Sequence, residues 1–151
     1  MENAGPQPFI GSEALRAGTV TWHELAKYHR AIMPDVYLDR RAELSMRNRT
    51  LAAWLWTHRR AVVAGAAASA LHGAKWVDDD TPVELIWRNA RAPDGVITRT
   101  DRLLDGETQS WGLLRFTTPE RTAFDLGRRG GLVHRVARLD ALAQATRFKI
   151  D

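Results

Sequence analysis

Residues 18–39, G-T-V-T-W-H-E-L-A-K-Y-H-R-A-I-M-P-D-V-Y-L-D, hold the reading from which the fold follows. Thr21 followed three residues later by Glu24 is a reciprocal capping pattern. The threonine hydroxyl accepts from the Glu24 backbone N–H while the glutamate carboxylate reaches back to the Thr21 N–H. The pattern predicts a helix running to about Tyr28. Just upstream, Ser12 is placed to cap a short helix through Ala17, and Gly18 to end it, because glycine takes positive φ without cost. Leu15, Val20 and Leu25 supply an apolar seam between the two helices. Downstream, 29–33 and 36–39 are β-prone stretches around the turn pair Pro34-Asp35. Two helices joined by a tight turn and followed by a hairpin trace a winged helix-turn-helix that lacks the first of its usual three helices.

Working outward, 42–58 reads as a helix with Leu44, Leu51, Leu55 and Ala52, Trp56 recurring near a 3.6-residue period. A short apolar strand, 61–63, follows. The alanine-rich stretch 65–71 reads as a helix stopped by Gly73, and Asp78-Asp79-Asp80 as an acidic loop. Alternation then marks strands at 82–87, 96–100 and 113–117, with Gly106 and Gly112 in the connections. Thr118-Pro119 pairs an N-cap with proline at the first helical position and opens a helix to about Arg129. Gly130-Gly131 breaks it. A last helix from Leu132 to about Arg147 carries Leu132, Val136, Leu139 and Ala143 on one stripe. The fold class is α+β: a short winged-helix-like module over 1–41, then a helix-rich α/β region with a small mixed sheet over 42–151.

Composition fits a soluble globular chain, with 44% hydrophobic and 26% charged residues in 151. No stretch approaches the ~20 apolar residues that span a bilayer, and the start has an acidic residue at position 2 and no apolar core of a signal peptide. The chain has no cysteine, which excludes disulfides and thiolate metal sites; the expected compartment is the cytoplasm. The net charge is +4, and 19 of the 22 basic residues are arginine. Arginine grips phosphate oxygens through paired hydrogen bonds, although a GC-rich genome gives the same bias. The basic excess lies in residues 1–60, with 9 basic against 6 acidic residues; 61–151 holds 13 against 12.

Motifs for catalysis are missing. There is no G-x-S-x-G elbow, and Gly65-Ala66-Ala67-Ala68 lacks the Gly-Lys-Ser/Thr ending of a phosphate loop. His72 and His134 have no partner at i, i+4 for zinc. Asp78, Asp79, Asp80 and Glu84 form the one carboxylate cluster, but Glu84-Leu85-Ile86 puts an apolar residue where a magnesium nuclease carries lysine. A solvated loop is the better reading. Asp125 is placed to pair with Arg121 or Arg129, four residues to either side. The expectation is a chain that is not an enzyme and carries no cofactor or metal. For double-stranded DNA, the candidate residues are Thr21, Trp22, His23 and Lys27 on the second helix, with Arg30, Arg40 and Arg41 flanking the wing. The helix would enter the major groove and the basic residues of the wing would touch phosphates.

Six segments together, F-I-G-S-E-A-L-R-A-G, D-V-Y-L, R-x-R-T-L-A-A-W-L-W, A-V-V-A-G-A-A-A-S-A-L-H-G-A-K-W, P-V-E-L-I-W and T-T-P-E-R-T-A-F-D-L, resemble AbiEi-type antitoxins of type IV toxin–antitoxin systems. The likeness is closer still to the N-terminal region of longer proteins that continue into a very-short-patch-repair-like endonuclease domain, a domain this sequence does not contain. Its most distinctive parts are Gly65–Gly73 and Pro119–Leu126. The resemblance implies a winged helix that binds operator DNA and represses its own operon, followed by a region associated with neutralising a nucleotidyltransferase-like toxin. It places the DNA role on 21–30 and on Val36 and Tyr37, and implies no catalytic residue. Two other readings stand beside it: the DNA-targeting or scaffolding part of a split or truncated endonuclease, and a protein-interaction module built on helix 42–58 with Trp54 and Trp56, and Trp76 nearby.

Overall fold

The computed structural model describes residues 5–88 and 91–146. These form an α+β fold with two separate sheets. The first part of the chain runs β1 (Phe9–Ile10), α1 (Gly11–Ala17), α2 (Trp22–Tyr28), β2 (His29–Met33) and β3 (Val36–Asp39). Its three strands are antiparallel in the order β1-β3-β2. The hairpin and both short helices lie where the sequence reading puts them, and Gly18 ends α1 at φ 73°. Val20 and Leu25 are buried in the seam, and Leu15 is half-buried.

Ser12 does not cap α1; the N-cap is Ile10, two residues earlier, an apolar residue with no capping oxygen. Asp35 in the hairpin turn supplies the acceptors instead. Its carbonyl takes the Gly11 N–H at 2.8 Å, and its carboxylate takes the Ser12 N–H at 3.0 Å and the Ser12 hydroxyl. These bonds satisfy the orphan donors of a helix start from 23 residues away. Asp35 holds φ 57°, a left-handed conformation that Asp tolerates in a tight turn.

A three-stranded sheet needs cover on its apolar face. Helix α3 (Met46–Trp56) provides it, packing against all three strands and also against the second sheet. The buried cluster accordingly joins Ile10, Met33 and Val36 to Met46, Ala52, Ala53, Leu55, Val63, Leu85 and Phe116 without a break. Helix α3 starts at Met46 rather than Ala42. Ser45 adopts the extended N-cap conformation and accepts from Asn48 N–H at 3.1 Å, while Asp79 accepts from Met46 N–H at 2.8 Å. Leu44 therefore falls outside the helix and is exposed.

The second sheet has five strands: β4 (Val62–Ala64), β5 (Val83–Ile86), β6 (Val96–Arg99), β7 (Thr108–Trp111) and β8 (Leu114–Thr117), in the order β6-β5-β4-β8-β7. It is mixed, with β5–β6 and β4–β8 parallel and the other pairs antiparallel. Central β4 is buried at every residue, as an apolar run covered on both faces should be. Helix α4 (Gly65–Leu71) follows it directly. At φ 60° Gly65 carries no side chain because a Cβ there would run into the Glu84 carboxylate. Helix α5 (Pro119–Gly127) opens on Thr118, whose hydroxyl accepts from Arg121 N–H at 3.3 Å. Helix α6 (Leu132–Thr146) is buried only at Leu142. The expected stripe does not close over its first turns, where Leu132 and Val136 are exposed. The expected end near Arg147 lies outside the described residues.

Candidate nucleic-acid interface

Helix α2 is seven residues, about 10 Å long. Both bonds of the capping box form: Thr21 Oγ1 accepts from Glu24 N–H at 3.1 Å, and Glu24 Oε1 accepts from Thr21 N–H at 3.0 Å. The backbone bond from Thr21 holds the Glu24 carboxyl below its ordinary range, with the Thr21 side chain second. Thr21 is thus a positioning residue for the helix, and the charge of Glu24 is turned to the helix start. Only Leu25 is buried. At 100° per residue, Trp22, His23 and Lys27 share an arc of about 140° that excludes Leu25. All three are exposed, Trp22 at 75%. The Lys27 ammonium lies 5.3 Å from the centre of the Tyr28 ring, itself half-exposed.

The basic residues around the hairpin gather at its open end, beside the C-terminus of α2. His29 pairs with Asp39 and Arg30 with Leu38 in the first rungs of the ladder, and Arg40 N–H donates to Tyr28 O at 2.9 Å. Arg40 also donates from its guanidinium to Ala26 O at 3.2 Å, one of the carbonyls left open at the end of α2. The Arg41 side chain is 92% exposed, and its one ion pair among the described residues is a long one with Asp39 at 3.4 Å. The Arg41 backbone bond, then its side chain, lowers the Asp39 carboxyl. Lys27 and Arg30 have no ion pair among the described residues. The turn Pro34-Asp35, tied to α1, carries no basic residue. The cations therefore lie at the base of the wing, not its tip, beside the C-terminal end of α2.

The remaining sequence-derived sites fall elsewhere. Asp79 caps α3, and Glu84 pairs with Arg99 at 2.8 Å. His72 Nε2 lies 2.8 Å from Thr117 O, and its ring meets Phe116 edge-on. Asp125 pairs with Arg121 at 3.2 Å, as the spacing allows, and with Arg128 at 2.7 Å. Arg129 turns instead to Asp101 at 2.7 Å. Arg121, 5% exposed, also meets Glu107 at 3.2 Å. Of the tryptophans in the protein-interaction reading, Trp54 is buried in the core and Trp56 packs partly against it, while Trp76 is 90% exposed.

No protein-family model, no curated protein and no solved structure matches the chain.

Two further contacts escaped the sequence reading. Arg59 and Glu13 form a two-bond pair at 2.8 and 2.7 Å that ties α1 to the turn after α3. Arg59 holds the Glu13 carboxyl below its ordinary range, chiefly through that hydrogen bond. Arg49 reaches from α3 to Thr81 O at 2.7 Å and to the Asp79 carbonyl. No local pattern signals either pair, because the partners are 30 or more residues apart.

Proposed function

We propose that this chain is a non-catalytic, AbiEi-like DNA-binding regulator that acts in the cytoplasm on the operator of its own operon. Helix α2 enters the major groove with Trp22, His23 and Lys27. Arg30 and Arg41 contact flanking phosphates, and Arg40 fixes the end of the helix. The single observation that carries this reading is the outward arc of α2 with free cations collected at one end of it. The strand–helix–helix–hairpin order, with β1 added beside β3, supports a winged helix whose missing first helix is replaced by α3. Antitoxin character rests on the family resemblance, which implies a nucleotidyltransferase-like toxin as the paired gene product.

A gel shift with duplex DNA from the gene's own promoter tests the proposal. Retardation at low salt, weakened at least about tenfold by Lys27→Glu with Arg30→Glu, is expected, since each phosphate contact adds to affinity most strongly at low ionic strength. Absence of retardation at low salt overturns it. A downstream frame encoding an acidic-x-Lys nuclease core would favour the split-endonuclease reading over the antitoxin.

A further inference from the structure

A groove of about 310 Å³ lies between α3, α4 and the β7–β8 hairpin. Leu51, Leu71, Leu114 and two alanines of α4 line it, and Trp111 forms a wall. The Trp111 indole is 55% exposed and rests edge-on against Phe116 at 4.8 Å. Two polar side chains line the same space, Arg47 and Thr50. They are three residues apart on α3 and so share one face with Leu51. Arg47 is exposed and has no ion pair among the described residues, and no carboxylate lines the groove. Thr50 is 1% exposed and lines the same space as the exposed Arg47.

We infer that this groove binds a small aromatic carboxylate. The ring would lie on the apolar floor against Trp111, and the carboxylate would accept from the Arg47 guanidinium and the Thr50 hydroxyl. The chemistry is specific on three counts. The volume is at the small end of ligand sites. The lining offers one cation and one hydroxyl but no competing anion. The exposed indole presents a flat face that a second ring can stack on. The inference does not depend on DNA binding. Because α3 also packs on the three strands of the N-terminal sheet, an occupant would touch the helix that joins the two sheets.

The test is titration of the full chain with benzoate, phenylacetate and indole-3-acetate, read by heteronuclear NMR shifts, with neutral indole as the comparison. Saturable binding by at least one of the acids, with the largest shifts at Leu51, Leu71 and Trp111, is expected. Arg47→Ala and Trp111→Ala should each weaken it by about tenfold, the scale of one charge-assisted bond or one stacked ring, while Trp22→Ala leaves it unchanged. Circular dichroism confirms that each variant is folded, and Arg47→Lys, which keeps the charge, should retain part of the affinity. No saturable binding by any of the acids up to about 10 mM, a weak limit for fragments of this size, overturns the inference. So does binding that Arg47→Ala leaves unchanged, or indole binding as tightly as the acids.

Discussion

The chain uses arginine in two settings. Around the three-stranded sheet, Arg30 and Arg41 face solvent; among the described residues Arg30 has no ion pair, and Arg41 pairs only with Asp39, at the long distance of 3.4 Å. In the C-terminal half, Arg121, Arg128 and Arg129 turn inward on Asp101, Glu107 and Asp125. Three cations there meet three anions, so the cluster is neutral and pins the β6–β7 connection to α5. Arginine content alone therefore says little about phosphate binding. What distinguishes the two regions is whether a carboxylate is built beside each guanidinium.

The comparison can be broken most forcefully from the inward side. Gly65→Ala must displace Glu84 from Arg99 and hold alanine at φ 60°. It should cost about 3 kcal/mol or more, from a left-handed residue and overpacking together, read by urea denaturation. Arg121→Met leaves Asp101 and Glu107 short of a partner and weakens the hold on buried Asp125. A loss of about 3 kcal/mol is expected, as for other broken buried pairs. A cost near zero for Arg121→Met would mean that the inward cluster contributes no stability and that the contrast is one of geometry only.

Acid tests the ion pairs themselves. The carboxyls of Glu13, Asp101 and Glu107 are all held low. Burial raises Asp101, but the hydrogen bond from Arg129 and the charges of Arg129, Arg128 and Arg121 outweigh it. For Glu107 the leading cause is the Leu104 backbone bond, with Arg121 behind it. A carboxyl depressed in the folded state contributes stability that is fully present above its unfolded pKa and is lost as pH falls through the folded value. Melting temperature should therefore hold above the usual carboxylate range, near pH 4, and fall below it. In Arg121→Met the fall should be shallower; an equal fall would count against the cluster as its source.

Smaller effects belong to the outward region. Thr21→Ala removes one half of the capping box and should cost about 1 kcal/mol, seen as faster amide exchange within α2. Arg30→Glu should change global stability by less than about 0.5 kcal/mol, the range of exposed substitutions. Its effect should appear in DNA affinity instead.

Several self-contained local signals in the sequence match the structure, although the Ser12 cap does not, because Asp35 supplies the acceptors at that helix start. The Thr21/Glu24 box, the Pro34-Asp35 turn, Gly18 and the Thr118-Pro119 start each act within four residues. Features that depend on distant partners were missed. Strand β1 is two residues long and exists because the outer edge of β3 is open to it. Strand β7, Thr-Gln-Ser-Trp, is a polar edge strand with mostly exposed side chains and no alternation to detect. Asp35 and Asp79 looked like turn and loop residues, yet each caps a helix far along the chain. At the candidate interface, the exposed arc of α2 was legible from helical periodicity. That Arg40 would be drawn onto the end of α2 was not, because only the folded hairpin brings it to Ala26.

The most direct test of the outward region is the salt dependence of duplex DNA binding, measured by fluorescence anisotropy. Three proteins suffice: the unaltered chain, Lys27→Glu/Arg30→Glu/Arg41→Glu, and Arg115→Glu, an exposed arginine of the second sheet. The account predicts that the slope of log affinity against log salt becomes shallower by about one for each phosphate contact removed in the triple variant, and is unchanged in Arg115→Glu. Equal slopes for all three proteins, or no binding by the unaltered chain at low salt, would contradict it.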